Sequence, residues 1–319
     1  MVASTRRAMK FPPSYPIPRR LNVLIACTQI VVLLGILIGT AFVTKWPYVM
    51  LMAMTYGIAM NSAYAMMHEA EHNLFHTNPR INHFVGAVLG LFFPAPYHLM
   101  RQGHIGHHLR NRSDDEAFDL YFDGDNAFWK HLQYYGILTG LFWIAVVSSN
   151  LIAVFHPGFF SNRSKVNLSC DRPTEAVMES LNPRYTRVIQ LEAISVIMIH
   201  SAIVIGLDIA PLRYFAVLFG FGYTWSALQY LHHFETDRDV RLGARNVRAF
   251  WWLDRLLLNH NLHLLHHMHP TVPWRYLPDL DAETDRNRSG MIRTYLRMWK
   301  GPRKTREHVE NVYAEQIIR

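Results

Sequence analysis

Long runs without a charged residue constrain the fold of this 319-residue chain more than any other feature. Segments 21–44 and 46–67 are uncharged and flank the single cation Lys45. As a helix, each segment is long enough to cross a hydrocarbon core of about 30 Å. Segments 188–207 and 214–231 form a second pair of mostly apolar runs. The runs therefore predict an integral membrane protein with four transmembrane helices, arranged as two hairpins.

Two shorter apolar stretches are expected not to make a simple crossing. Segment 84–97 is short and contains Pro94 and Pro96, so it is not expected to span. Segment 137–155 has the length of a span, but a single crossing would place the histidines that follow on the wrong side of the membrane. We expect it to be interfacial, re-entrant or broken, with residues 148–150 (Ser-Ser-Asn) as the expected break.

The charge distribution predicts which ends of the helices face the cytoplasm. The formal net charge is +8, and five Arg or Lys residues precede the first apolar run, while the last 34 residues are again basic. The positive-inside rule therefore places both termini in the cytoplasm. The basic excess indicates topology and attraction to anionic membrane lipid rather than nucleic-acid binding, because no recognition module is present. Two cysteines cannot form an iron–sulfur cluster.

Most of the 19 histidines fall into four short clusters. Spacings of three and four residues place side chains on one face of a helix. Converging imidazoles that lacked a shared ligand would be costly to bury, so the spacing predicts a shared metal site. The clusters are His68 with His72 and His76, His104 with His107 and His108, His232 with His233, and His260 with His263, His266 and His267.

The number of histidines indicates two metal ions. Two ligands from the first cluster and three from each HxxHH cluster make eight, whereas a zinc ion takes four or fewer protein ligands. Imidazole binds Fe, Zn, Cu and Ni, so ligand type does not name the metal. Because only the neutral imidazole coordinates, metal is expected to dissociate well below about pH 6.5.

Two other functions compete with a two-metal enzyme. The string His68-Glu69-Ala70-Glu71-His72 matches HExxH, in which Glu69 would be the general base of a zinc peptidase. That hypothesis needs a third ligand, commonly an Asp in a later helix, and leaves both HxxHH clusters unexplained. A non-catalytic metal-binding or transport protein would give no O2-dependent product.

The histidine pattern resembles that of the membrane fatty acid desaturase and hydroxylase superfamily. The similarity is strongest in the stretch 259–278, NHNLHLLHHMHPTVPWRYLP. It implies two non-haem iron ions that activate O2, and a ninth ligand just after the last span. His232 is favoured over His233, because segment 214–231 ends immediately before it. The other ligands implied by the resemblance are His68, His72, His104, His107, His108, His263, His266 and His267.

The resemblance also implies an all-α fold with interfacial helices and a cytoplasmic, histidine-rich helical cap over the membrane helices. It divides the chain into a cytoplasmic segment 1–20, a desaturase-like membrane domain 21–278 and a basic cytoplasmic segment 279–319. Further candidates for a ligand or for a group that supports a ligand are His76, His233, Glu69, Glu235, Asp254 and Asn259.

The implied reaction is desaturation of a fatty acyl chain. Hydroxylation, ketolation of a carotenoid and oxidative decarboxylation to an alkene remain alternatives within the superfamily. The chain has no flavin, dinucleotide or iron–sulfur motif, so an external donor such as a ferredoxin, rubredoxin or cytochrome b5 is expected to supply electrons. The acyl group could be free or carried by lipid, coenzyme A or a carrier protein. A bacterial inner membrane is the expected location.

Overall fold

The computed structural model describes residues 15–160, 172–283, 288–313 and 316–318. Most of the predicted N-terminal segment and Cys170 lie outside these ranges. Within them the regular secondary structure is almost entirely helical. Its α-helices are α1 (Arg19–Gly39), α2 (Trp46–Glu71), α3 (Pro79–Phe92), α4 (Tyr97–Arg110), α5 (Ala127–Thr139), α6 (Leu141–Phe155), α7 (Arg172–Ser180), α8 (Thr186–Gly206), α9 (Pro211–Leu231), α10 (Trp251–Leu256), α11 (His263–Met268) and α12 (Met291–Met298).

Short elements complete the fold. Tighter 3-10 turns occupy Thr40–Phe42, Pro157–Phe160, Pro183–Tyr185 and Trp274–Glu283. Four two-residue strands pair in parallel, β1 (Leu120–Tyr121) with β4 (Arg303–Lys304), and β2 (Val247–Arg248) with β3 (Ser289–Gly290). These two pairings attach the C-terminal segment to the loops that follow α4 and α9.

Proline and asparagine define several helix starts. Pro47 lies in the first turn of α2, where its missing N–H would have no intrahelical partner. Asn78 precedes α3, and its side chain accepts a hydrogen bond from the Arg80 N–H. Asn126 caps α5 in the same way, accepting from the Trp129 N–H at 3.2 Å.

Helices α2 and α9 cross in the centre of the protein with their backbones in contact. A Cβ atom on Gly57 would come within 2.8 Å of the Gly220 carbonyl oxygen, and one on Gly220 would overlap the Ala53 carbonyl. Close crossings of this kind need small residues, as in membrane helix pairs. Asn61 strengthens the contact by donating to Thr224 Oγ1 at 2.8 Å.

Two helical segments in the described part of the chain are long and apolar enough to cross a membrane. They are Arg19–Phe42 and Pro183–Gly206, with only 28% and 17% of their most apolar stretch buried in the protein. Helices α2 and α9 are not among them and instead supply much of the buried centre of the protein. Length and composition therefore support two of the four predicted spans, those at α1 and α8. Two bent helix pairs could add two further crossings, but they are not the predicted spans 46–67 and 214–231.

Both bent pairs correspond to the stretches that were expected not to cross simply. Helices α3 and α4 bend by 102° around Pro94 and Pro96, and α5 and α6 bend by 92°. The second bend lies at Gly140, whose φ of +89° suits glycine. The expected break at 148–150 is wrong, since these residues lie inside α6 and Asn150 donates to the Pro94 carbonyl at 2.9 Å.

Candidate metal centre

All four histidine clusters meet at one end of the α2–α9 pair. Spacings of four residues along α2, α4 and α11 place the rings of each cluster on one helix face, as the sequence predicted. Their positions are His68 within α2 and His72 at its end, His104, His107 and His108 in α4, His232 and His233 just after α9, and His263, His266 and His267 in α11.

Five histidines from three helices form the first group. Each histidine contributes one ring nitrogen, and these five nitrogens all lie within 4.8 Å of one another. Several contacts are much closer: His104 Nε2 lies 2.8 Å from His72 Nε2 and 3.2 Å from His108 Nε2. His108 Nε2 in turn lies 2.9 Å from His266 Nε2. The group, called group A below, consists of His68, His72, His104, His108 and His266.

Four further histidines form group B beside it. His263 Nε2 lies 3.1 Å from His233 Nε2 and 3.2 Å from His267 Nε2. His107 Nε2 lies 3.3 Å from His267 Nε2. The two groups adjoin, because the rings of His108 and His267 have centroids only 4.3 Å apart. Group B consists of His107, His233, His263 and His267.

The donor atoms of both groups fit a pair of metal ions. With a metal–nitrogen bond of about 2.1 Å, two ligands of one ion lie about 3.0–3.4 Å apart, close to the nitrogen–nitrogen distances in both groups. His68 Nε2 is buried and has no hydrogen-bond partner. Burial lowers the pKa of the α11 histidines His263, His266 and His267, so they are neutral at pH 7 and have a free lone pair.

The eight ligands that the resemblance implied all fall in these groups, and the ninth member is His233. His232 lies outside both groups. Its Nδ1 is 3.4 Å from the Arg245 carbonyl oxygen, and its ring packs 4.6 Å from that of His263. Consecutive residues near a helix end point in directions about 100° apart, so only one of two adjacent histidines can enter a given group.

The other candidates lie around the groups without hydrogen-bonding them in the described structure. His76 Nδ1 accepts from the Asn78 N–H, and Glu69 accepts from the Trp274 N–H at 3.1 Å. Two of the remaining three have other partners, since Glu235 pairs with Arg297 and Asn259 donates to the Trp274 carbonyl. The third, Asp254, has its Oδ1 buried without a hydrogen-bond partner and is not a member of either group.

Glu116 is the carboxylate that does contact a group, and sequence reasoning missed it. Its Oε1 lies 2.5 Å from His107 Nδ1, and its Oε2 lies 3.3 Å from Arg110 Nε. Although burial raises the pKa of Glu116, the contacts with His107 and Arg110 lower it more, so the carboxylate is ionised. It fixes the His107 ring with Nε2 facing the group. No short motif marks it, because it lies in a loop nine residues after His107.

A buried ionic network joins the end of α4 to the end of α9. Arg112 and Asp119 form an ion pair at 2.5 Å, with side chains 0% and 1% exposed. Tyr230 donates to the same Asp119 oxygen at 2.5 Å, and Arg112 also donates to the Thr236 carbonyl at 3.0 Å. Thr236 Oγ1 donates to the His233 carbonyl at 2.8 Å. The network therefore fixes the segments that carry two histidine clusters relative to each other.

A small cavity of about 20 Å³ lies beside the groups, with room for one water-sized molecule. The His260 ring in its wall packs 4.8 Å from the ring of His68 and 5.3 Å from that of His263. No member of either group lines the cavity, but His260 in its wall packs against one ring of each group. Its lining consists of Asn61, Tyr64, Leu228, Gln229, His232, Leu257, His260, Asn261 and Met291.

Apolar helices suited to a bilayer and nine clustered imidazoles are the features of an integral membrane protein whose histidine groups could hold metal ions. The sequence model described as fatty acid desaturase matches residues 44–302, and the chain belongs to that family. Membership confirms the resemblance found in the sequence and implies an oxidoreductase. A comparison with curated proteins found no match.

Proposed function

We propose that the protein is an O2-dependent membrane enzyme that desaturates a fatty acyl chain with two non-haem iron ions. Group A would hold one ion and group B the other. The single observation that carries this proposal is the convergence of nine imidazoles into two adjoining sets of five and four. When bound, the irons would supply the activation of O2 for attack on an unactivated C–H bond.

The chain's own residues hold and orient the ligands. Hydrogen bonds from Nδ1 to Glu116 and to the Gly243 carbonyl leave Nε2 of His107 and His233 free to coordinate. Burial lowers the pKa of His263, His266 and His267 and so keeps them neutral. It also excludes bulk water, which protects an oxidising site from side reactions. The cavity beside His260 lies close to both groups and has room for one small molecule such as water or O2, but not for an acyl chain.

Topology and location extend the proposal. The positive-inside rule places the histidine groups and both termini on the cytoplasmic side, most naturally of a bacterial inner membrane. An acyl chain would then reach the groups from the bilayer, passing between helices of the membrane domain 21–278. Hydroxylation, ketolation or oxidative decarboxylation would use the same ligands, and the position of the substrate would decide between these outcomes.

Product analysis tests the reaction. Lipids and volatile products from cells that express the wild type or His107→Ala would be compared by mass spectrometry, with and without O2. We expect an unsaturated product that requires O2 and His107. Identical profiles from the two strains would refute an enzymatic role, and a purified protein with one zinc and no iron would support the peptidase hypothesis instead.

Metal analysis of two adjacent substitutions tests the ligand assignment. His233→Ala is expected to lower the iron content of the purified protein from two ions toward one, because it removes a member of group B. His232→Ala serves as the matched control and is expected to retain both ions. Loss of iron from His232→Ala alone would assign the ninth ligand to His232 after all.

A further inference from the structure

Desaturation by O2 does not balance without an outside supply of electrons. Removing two hydrogen atoms from adjacent carbons releases two electrons and two protons. Reducing O2 to two waters consumes four of each. Two electrons and two protons must therefore come from elsewhere, and this chain has no redox cofactor motif of its own. The surface where the electrons enter should connect directly to the metal ligands.

One exposed loop is bonded to a member of group B. Asp239 and Gly243 close a tight turn through the Gly243 N–H and the Asp239 carbonyl, at 2.8 Å. The Gly243 carbonyl then accepts a hydrogen bond from His233 Nδ1 at 2.9 Å. Between the exposed Leu242 and the ligand His233 there are thus only Gly243 and one hydrogen bond.

The same loop makes a second connection to the histidine groups. The guanidinium of Arg241 donates to the Met268 carbonyl at 3.0 Å. Met268 directly follows His267 of group B and lies two residues after His266 of group A. Two bonded routes, through His233 and through the end of α11, therefore begin in the loop 241–243.

The loop is also accessible and stiff. Leu242 is 52% exposed at its tip, and Arg241 is exposed beside it. The Asp239 carboxylate accepts from the Arg241 and Leu242 N–H groups at 2.8 and 2.7 Å, which holds the turn in one conformation. An exposed apolar tip beside a cation suits a small, transient interface of the kind that electron carriers use.

The neighbouring surface offers room for a partner. A cleft of about 450 Å³ adjoins the base of the loop, and Thr236 in its wall lies 2.8 Å from the His233 carbonyl and 3.0 Å from the Gly243 carbonyl. Its lining is mixed in charge, with the exposed Arg303 and Lys304 beside three acidic residues, Glu235, Asp237 and Glu307. With a net charge of +8, the protein attracts an acidic partner, which speeds encounter.

We infer that the loop Arg241–Leu242–Gly243 is the electron-entry surface and that it docks a soluble one-electron carrier with an acidic face. The inference rests on the proposed oxygen-dependent function. Electrons would pass from the carrier at Leu242 through the Gly243 carbonyl to His233, and so reach the reaction that reduces O2 to water.

A charge reversal tests the docking. The iron-loaded enzyme would be assayed with a reduced acidic [2Fe–2S] ferredoxin as the probe, and separately with dithionite, which needs no docking surface. Arg241→Glu is expected to lower kcat/KM for ferredoxin at least tenfold, and to lower product formation from dithionite much less than that. Arg255→Glu, which reverses another exposed arginine lying over the Trp251 ring, is the matched control and should match the wild type.

Direct electron injection tests the route without any carrier protein. Cys27 and Cys170 would be replaced by serine, and a ruthenium photosensitiser attached at Leu242→Cys or at Leu296→Cys, a 64% exposed position on α12. Flash-induced reduction of the metal centre should be at least tenfold faster from position 242. Equal rates, or an Arg241→Glu enzyme with unchanged ferredoxin kinetics, would overturn the entry surface. Failure of the wild type to form product even with dithionite would instead refute the proposed function.

Discussion

Replacement of Asp119 by Asn tests how strongly the buried network holds the two histidine-bearing segments together. The substitution keeps the shape of the side chain but leaves the Arg112 guanidinium, which is fully buried, without its counter-charge. Breaking a buried ion pair from one side typically costs about 3–5 kcal/mol. At about 2 °C per kcal/mol for a chain of this size, Tm should fall by about 6–10 °C.

The assay is thermal unfolding in detergent at a fixed scan rate, combined with iron analysis of the folded fraction. Asp123→Asn is the matched control from the same loop, since the Asp123–Lys304 pair is exposed and should leave Tm unchanged. The reasoning fails if both substitutions shift Tm equally. Iron should also be lost from Asp119→Asn, because the network reaches His233 through Thr236.

The pH dependence of this difference follows from the pKa of Asp119. Burial raises that pKa, but Arg112 and the hydrogen bonds lower it more, so it lies below its ordinary value. A carboxylate with a lowered pKa stabilises the fold above the unfolded value of about 3.9, and this contribution is lost as the pH falls through the folded value. The Tm difference between wild type and Asp119→Asn should therefore persist from pH 7 to pH 5 and shrink below pH 4.

Three further outcomes are expected. Gly220→Ala should destabilise the fold by about 1–3 kcal/mol, because the new Cβ overlaps the Ala53 carbonyl. Gly35→Ala in α1 meets nothing within 4 Å and should leave the Tm unchanged or slightly higher, because alanine favours a helix more than glycine does. Glu116→Gln should weaken metal binding about 10–100-fold in chelator competition, since it removes the carboxylate that orients His107. Burial lowers the pKa of His260 to about 4, so as the pH falls this imidazole is protonated in the unfolded chain before it is protonated in the folded protein. Stability should therefore fall below about pH 6.5, and unchanged Tm between pH 7 and pH 5 would contradict this reasoning.

The histidine clusters could be identified from the sequence, because the geometry of an α-helix places residues three and four positions apart on one face. The choice between His232 and His233 depends on how the chain turns after α9, which no local spacing determines. Glu116 and Asp119 were missed for the same reason, since loops bring them to their partners across the fold. Carboxylates near the clusters in sequence, such as Glu69 and Glu235, have other partners.

Hydropathy identified the apolar helices but not which neighbours they face. Helices α1 and α2 look alike as uncharged runs, yet α1 is mostly exposed along its apolar stretch, while α2 is packed against α9 in the centre. Lipid and protein interiors are similarly apolar, so composition cannot separate the two environments. The bend at Gly140 was equally hidden, because a glycine in an apolar helix gives little sign of its backbone angle.

The close crossing at Gly57 and Gly220 can act as a pivot, because α2 and α9 both lead to histidines of the metal centre at the same end. From the crossing to His68 is 11 residues, and to His233 is 13, so the two arms reach about 17 and 20 Å. A change of about 5° in the crossing angle of α2 and α9 would move their histidine-bearing ends apart by roughly 1.5 Å at these lengths. A shift of that size is enough to alter catalysis about 100-fold. Helix α1, which is exposed along most of its apolar stretch, is hydrogen-bonded to α2 through Gln29 and Ser62. Bilayer thickness and lateral pressure would therefore act on the crossing through α1, and the catalytic rate should respond to the mechanical state of the membrane.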